Sequence, residues 1–214
     1  YGKEEDLHTI KDDLEKIGVV TQKIFKRVRK HKIRTNYSLV EFSFEENSLI
    51  KHSTGFAALL AVLGVPFGRK TGVIYKVPYW IKKAKLWQKR LFLSALFGAE
   101  LSKPKTMNKY NLYCPQLNMN KSEKLVNNGI EFLNEIREML LEFGILCNKP
   151  VFVPGNNYNG VNGRTVGLRL LISGRPQSLI NLYSLIGYSY NREKQRLANL
   201  AIDYLRLKIN ITER

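Results

Sequence analysis

The chain has 214 residues and carries 35 Lys and Arg against 18 Asp and Glu, a formal net charge of +17. Its residues are 44% hydrophobic, which is enough to build a core and argues against a chain that is disordered throughout. Two cysteines and three histidines are too few for a disulfide scaffold or a zinc site. A positive excess of this size on a folded chain predicts a polyanionic partner, nucleic acid first of all.

The charges are unevenly distributed along the chain. Between Glu46 and Glu123 the one acidic residue is Glu100, a second acid-free stretch covers residues 143–192, and a basic cluster covers residues 23–34. This pattern predicts an acidic helical side and a basic side made of strands and loops. No apolar run reaches about 18 residues and no leader-like segment occurs, so we expect no membrane span and a cytoplasmic protein.

Apolar spacing predicts the same kind of unit twice. In the first part, helix 4–17 ends at Gly18, strands 22–32 and 37–44 form a hairpin, and helix 53–63 ends at Gly64. The second part is longer and ends its central helix at Gly144. Its predicted elements are helix 91–100, strands 110–113 and 114–120, helix 123–143, strands 145–153 and 164–173 around the turn-like loop 155–163, and helices 177–186 and 192–207. The expected class is α+β, with order αββα followed by αββαββαα.

The segment Leu93-Ser94-Ala95-Leu96-Phe97-Gly98-Ala99-Glu100 resembles the LAGLIDADG motif that names a group of homing endonucleases, with Leu101 where the motif ends in glycine. The flanking segments 63–71 and 187–190 are similar to the archaeal, intein-type branch of that family. The resemblance covers nearly the whole chain. It implies two pseudo-symmetric αββαββα units: an incomplete first half over 1–72, a linker over 73–90, and a second half over 91–214.

The motif has a physical interpretation of its own. Ser94 and Gly98 lie four residues apart, as do Ala95 and Ala99, so a second helix can approach this stripe closely. A carboxylate at a helix C-terminus opposes the helix dipole and needs a compensating cation, which a bound Mg²⁺ would supply. The alternative is a core helix that ends in a solvated Glu100.

The function implied by the resemblance is site-specific cleavage of double-stranded DNA, an Mg²⁺-assisted hydrolysis. Glu100 would be the catalytic metal ligand, and Lys103 and Lys121 would stabilise the pentavalent phosphate or position water. The two lysines have an equal alternative as phosphate clamps without a catalytic role. Two alternatives to the endonuclease remain open: an inactive DNA-binding protein, and an intron RNA maturase on the same fold.

The resemblance also implies that the strands form a saddle on the major groove of a long, asymmetric DNA site. If Ile24, Val28, Leu117, Met119, Val166, Leu168 and Leu170 face inward, alternation turns a basic and amide-bearing set toward the DNA. Such side chains can make paired hydrogen bonds to purine edges. The set is Lys23, Arg27, Arg29, Gln116, Asn118, Asn120 and Arg169.

The family order places a first LAGLIDADG helix before Lys3, where the printed chain opens at Tyr1. We therefore expect the second catalytic carboxylate to come from a preceding segment or from another polypeptide. With that segment present we expect a monomer, and without it a self-associating chain, because the stripe at Ser94 and Gly98 would be uncovered.

Overall fold

The computed structural model describes residues 1–34, 38–153, 158–160 and 163–212. They form two compact units, Tyr1–Thr54 and Gly55–Arg214, which we call the first and second units. The secondary structure is α+β in both. The sequence-based bounds at residues 72 and 91 and the pseudo-symmetry implied by the resemblance stay predictions.

The first unit consists of one helix and one hairpin. Helix α1, Glu4–Lys16, has three acids in its first turn, where negative charges interact favourably with the positive end of the helix dipole. The helix ends two residues before Gly18, the predicted terminating glycine, whose φ of +79° suits a residue without a Cβ. Strands β1, Phe25–Arg34, and β2, Leu39–Ser48, pair antiparallel.

Both faces of this hairpin are open. Val28 is 69% exposed, so the expectation that it faces inward is wrong. Among the described residues of the first unit, Leu7 is the one buried apolar side chain. A two-stranded sheet has no second layer to cover its apolar side chains unless another element packs on it.

The second unit contains the remaining helices. They are α2, Thr54–Val62; α3, Tyr79–Lys82; α4, Leu86–Glu100; α5, Val126–Leu141; α6, Pro176–Asn181; and α7, Arg192–Thr212. A 3₁₀ turn, Glu123–Leu125, leads into α5, and a π-helical turn, Leu182–Ile186, continues α6. Helix α4 begins at Leu86 and not at residue 91, since the Gln88 side chain accepts a hydrogen bond from the Lys85 amide (3.1 Å) and so satisfies a free N–H at the helix start.

One antiparallel sheet lies in the second unit, with β6, Gly163–Leu171, at its centre. β3, Gln116–Ser122, pairs along one side of β6, and the short strands β4, Val151–Phe152, and β5, Tyr158–Gly160, pair with it as well. The predicted strand 110–113 is not a strand; its one ladder contact is the isolated bridge between Thr106 and Leu112. The predicted loop 155–163 lies partly outside the described residues.

The core of the second unit fills the space between the helices and one face of this sheet. Leu117, Leu168 and Leu170 are at most 3% exposed and belong to the same cluster as the buried side chains of α4 and α5. Each such burial contributes roughly 1.5–3 kcal/mol. The opposite face of β3 and β6 therefore remains available for polar side chains.

Candidate nucleic-acid interface

Glu100 is the last residue of α4 and is exposed. Its Oε1 lies 3.3 Å from Nζ of Lys70, with both side chains largely in solvent. An ion pair at this exposure contributes little to stability. The acid that the motif singles out is therefore accessible and has a lysine beside it.

Lys194, on α7, supplies the cation that the end of α4 requires. Its Nζ donates to the carbonyl oxygens of Gly98 (2.9 Å) and Leu101 (2.7 Å) and approaches those of Phe97 (3.3 Å) and Ala99 (3.4 Å). The Gly98, Ala99 and Leu101 carbonyls lie at the helix C-terminus, where backbone carbonyls lack partners within the helix, whereas the Phe97 carbonyl also accepts from the Leu101 amide (3.2 Å). Burial lowers the pKa of Lys194, and the nearby charge of Glu100 opposes that shift. Sequence reasoning assigned this compensation to Mg²⁺; in the structure a lysine provides it.

Part of the small-residue stripe of α4 packs against a turn of the same unit. The Ser189 amide donates to Ser94 Oγ (2.9 Å), the two hydroxyl oxygens are 2.7 Å apart, and Asn191 Nδ2 donates to the Gly98 carbonyl (3.1 Å). A Cβ on Gly98 would lie 1.8 Å from the Ser189 carbonyl oxygen. The small residues at 94 and 98 are thus explained by this turn, without the second helix that the sequence predicted there. Ala99 is exposed.

Lys121 is fully buried, which corrects its predicted place among groups that touch a phosphate. Its Nζ donates to the Val73 carbonyl (2.5 Å) and lies 4.0 Å from the ring centroid of Tyr75. Burial lowers the pKa of Lys121. Burial also raises the pKa of Tyr75, with the negative charge of Glu100 as the second cause. Tyr75 therefore contacts Lys121 and feels the charge of Glu100. Lys121 itself holds the 73–75 segment in place from inside the core.

Lys103 lies outside this cluster. It is exposed and pairs with Glu193 of α7 at 3.1 Å. Its predicted role stays a prediction.

The outer face of the second unit's sheet carries predicted contact residues. Asn118 and Asn120 are exposed while Leu117 and Lys121 are buried, as alternation requires. Arg169 stands opposite Asn118 in register, and its Nε donates to Asn118 Oδ1 (2.8 Å). Gln116, on the same side of β3, is half-buried. This face therefore presents side-chain amides together with the Arg169 guanidinium, which the neutral amide of Asn118 holds in place.

Two of the three predicted contact residues of the first unit, Arg27 and Arg29, have an acidic partner. Nε of both Arg27 and Arg29 lies within 2.7 Å of Glu46 Oε2 on the neighbouring strand. Lys32 pairs with Glu41 (2.6 Å). Lys23 is exposed and lies before β1 begins. The acid-free cluster in the sequence is therefore not an acid-free surface in the fold.

Part of the long basic stretch is neutralised in the same way. Lys82 pairs with Glu135 of α5 (2.6 Å), and Lys89 donates to both carboxylate oxygens of Glu142 (2.7 Å each). Lys76 pairs with Glu131. The predicted separation into an acidic helical side and a basic side is wrong here, because three lysines of the 76–89 segment lie against the acids of α5.

The net charge nevertheless lies mainly in the second unit. Residues 55–214 hold 24 of the 35 basic residues and 9 of the 18 acidic ones, whereas residues 1–54 hold 11 and 9. Nine carboxylates cannot neutralise 24 cations by pairing. The second unit is therefore strongly positive and the first is close to neutral.

The described residues contain no group of three or more His, Cys, Asp or Glu placed to hold a metal ion. The Glu100 carboxylate has Lys70 beside it, and Lys194 binds the carbonyls at the end of the same helix. Burial raises the pKa of the Cys147 thiol to about 12, so this cysteine is not a thiolate at neutral pH. Within the described ranges, no helix has the length and apolar character needed to cross a membrane.

Comparison with known proteins finds close relatives of archaeal origin. The chain is 42% identical to the tRNA-splicing ligase RtcB of Methanocaldococcus jannaschii over 209 residues, which is 97% of this chain and 21% of that protein. It is 36% identical to the protein of the same name from Methanopyrus kandleri over 97% of this chain and 20% of the relative. The chain thus spans about a fifth of the length of these relatives. No family model and no solved structure matches.

Proteins of other names contain a similar segment. The replication factor C small subunit of Methanocaldococcus jannaschii is 30% identical over 95% of this chain and 10% of that protein. The DNA-directed RNA polymerase subunit Rpo1N of the same organism is 32% identical over 97% of this chain and 15% of that protein. Nearly the whole chain therefore matches a minor part of proteins with three different names.

These findings overturn the sequence-based identification. Five of the relatives are named tRNA-splicing ligase RtcB, and none of these is named as a LAGLIDADG homing endonuclease. The predicted DNA endonuclease, its long double-stranded DNA site, and the alternatives of an inactive DNA-binding protein or an intron maturase find no support. The physical reason lies in Ser94 and Gly98: a helix that packs on its own unit's turn requires the same small residues as a motif helix. These relatives are named as ligases, but the chain spans about a fifth of their length, so an enzymatic activity of this chain stays a prediction.

Proposed function

We propose that this chain is an RNA-binding module carried within longer polypeptides, and that its second unit provides the binding surface. The presence of similar segments inside proteins of three names supports a self-contained module. RNA is the proposed partner because five relatives are named for tRNA splicing.

The observation that carries the proposal is the charge of the second unit, with 24 basic against 9 acidic residues. Cations on such a surface release the counterions condensed on a nucleic acid, and this supplies most of the sequence-independent affinity. The first unit has nearly equal numbers of both signs and lacks this driving force.

The outer face of the sheet is the proposed contact surface within the second unit. Arg169 can bind a phosphate with its guanidinium, and Asn118 holds it by a hydrogen bond without neutralising it. Asn120 is exposed on the same face. The wide, shallow minor groove of A-form RNA presents 2′-hydroxyls and phosphates to a flat polar surface of this kind.

The module is proposed to contribute binding, while ligation is an activity of the relatives, which are about five times longer. Mg²⁺ at Glu100 stays a proposal. A single carboxylate suits an ion that keeps most of its waters, and the described residues place no cluster of three or more His, Cys, Asp or Glu around an ion.

The test is a fluorescence-anisotropy titration of the chain with a labelled tRNA transcript and with a duplex DNA of equal phosphate number, both at the same salt concentration. We expect the tRNA to bind at least about tenfold more tightly. Equal or tighter binding of the DNA duplex would overturn RNA as the partner, and absence of binding to both would overturn the module as a nucleic-acid-binding unit.

A further inference from the structure

The second unit contains a cavity beside α7. It has a volume of about 570 Å³ and lies between the 103–112 segment and α7. One wall is the apolar stripe Leu197, Leu200, Ala201 and Tyr204, at the spacing that puts residues on one face of a helix. The volume lies within the range of about 300–1,000 Å³ common for small-molecule sites.

The wall opposite α7 is held in place by hydrogen bonds. Asn108 Oδ1 accepts from the amides of Tyr110 (2.9 Å) and Asn111 (2.8 Å), which closes the turn. The Tyr110 carbonyl then accepts from Tyr204 Oη (2.8 Å) and Lys208 Nζ (2.9 Å). The segment is thus anchored to α7, and the cavity exists before any ligand arrives.

The lining has one sign of charge. Lys103, Lys105 and Lys109 contribute to it and no carboxylate does, but Lys103 pairs with Glu193 of α7, so Lys105 and Lys109 are the cations offered to a ligand. Leu200 is 54% exposed and Tyr110 68% exposed, so apolar and aromatic surface is open to a ligand at the mouth. An anionic ligand with a flat apolar part fits these walls.

We propose that this cavity receives one unpaired nucleotide of the bound RNA. The base would lie on the Leu200 and Tyr204 side, and its phosphates beside Lys105 and Lys109. Stacking on aromatic side chains combined with lysines along the backbone is the usual way in which proteins hold single strands. The inference rests on the proposed RNA-binding function and adds the site of an unpaired end.

The test compares a blunt RNA hairpin with the same hairpin carrying a three-nucleotide unpaired 3′ end that contains 2-aminopurine. We expect the overhang to raise affinity about tenfold, and 2-aminopurine fluorescence to fall on binding because the base stacks. The test variant is Leu200→Glu, which places a negative charge at the mouth. The matched control is Leu207→Glu on the same helix, equally exposed at 59% and outside the lining.

We expect Leu200→Glu to abolish the gain from the overhang while binding of the blunt hairpin stays within about twofold, and Leu207→Glu to retain the gain. An overhang that adds nothing, or equal losses in the two variants, would overturn the cavity as a nucleotide site and leave the proposed function standing. Failure of the blunt hairpin itself to bind would instead remove the proposed function, and the inference with it. The proposal would also be overturned if an apolar dye bound in the cavity were displaced by a fatty acid and not by a nucleotide.

Discussion

The two units each present antiparallel strands with arginine, yet the arginines predicted as nucleic-acid contacts face different partners. In the first unit, Arg27 and Arg29 share the carboxylate of Glu46 on the neighbouring strand. In the second unit, Arg169 faces the neutral amide of Asn118. The carboxylate cancels charge, whereas the amide only fixes the position of the guanidinium. A basic run in a sequence thus indicates a binding surface only when its cross-strand neighbours are known.

The second unit owes its surface to a tightly packed framework, and Gly98→Ala should damage that framework most. The new Cβ would meet the Ser189 carbonyl oxygen at 1.8 Å. We expect the free energy of unfolding to fall by about 3 kcal/mol, the upper end for overpacking, measured by urea denaturation. Gly55→Ala in α2 is the matched control: its Cβ would have nothing within 4 Å, and it should be neutral or stabilising by up to about 1 kcal/mol. Equal effects of the two substitutions would show that the Gly98 contact with Ser189 is not formed.

Lys194→Met should have the next largest effect. The substitution keeps much of the apolar stem but removes the ammonium group from the carbonyls at the end of α4. We expect a loss of about 2 kcal/mol in thermal or urea unfolding. Arg196→Met, an exposed change on the same helix, should stay within about 0.5 kcal/mol. A Lys194→Met protein as stable as wild type would mean that the helix end does not depend on this cation.

Glu46→Gln should make the first unit more like the second. The change releases Arg27 and Arg29 from their shared carboxylate and leaves an amide in its place. We expect RNA affinity, measured by anisotropy, to rise by about two- to threefold, since the released guanidinium groups add a phosphate attraction that salt partly screens. Glu5→Gln on α1 removes the same charge away from the hairpin and serves as the control. A fall in affinity after Glu46→Gln alone would contradict the contrast between the units.

The smallest effect concerns the buried Lys121, whose pKa is lowered by burial. With a folded-state pKa below the unfolded value of 10.5, the unfolded chain binds more protons between the two values, so stability rises with pH in that window. The stability of wild type relative to Lys121→Met should therefore increase as pH approaches 10.5 from below. Urea denaturation at several pH values measures this difference. A constant or decreasing difference would mean that the ammonium group is not desolvated.

Local features of the fold were predictable from the sequence. Gly18 helps to end α1 through its own backbone freedom, and the apolar spacing of α5 defines a buried face from residues of that helix alone. The alternation of β3 also predicts that Lys121 is buried, because Lys121 shares a face of the strand with Leu117 and Met119. Sequence reasoning treated Lys121 by its chemistry and missed that position.

The parts that sequence did not predict depend on distant residues. Lys194 reaches carbonyls more than 90 positions earlier in the chain, and Ser189 meets Ser94 across 95 positions. Nothing in the local sequence of α7 marks a helix-capping lysine. The small residues of α4 pointed correctly to a close neighbour, but two different neighbours satisfy them equally well, and the resemblance selected the wrong one.

The central claim is that RNA binds to the second unit, and the salt dependence of binding tests it most directly. The triple variant Lys149→Gln, Arg169→Gln, Arg175→Gln removes three charges from the second unit, where Lys149 and Arg175 are exposed, and Lys26→Gln, Arg29→Gln, Lys32→Gln removes three exposed charges from the first. If each lost cation is one lost phosphate contact, the slope of log K against log salt should become shallower by about 2 in the first variant, with about a tenfold or greater loss of affinity. The other variant should keep the wild-type slope and an affinity within about twofold. The reverse outcome, or equal losses in both variants, would contradict the account.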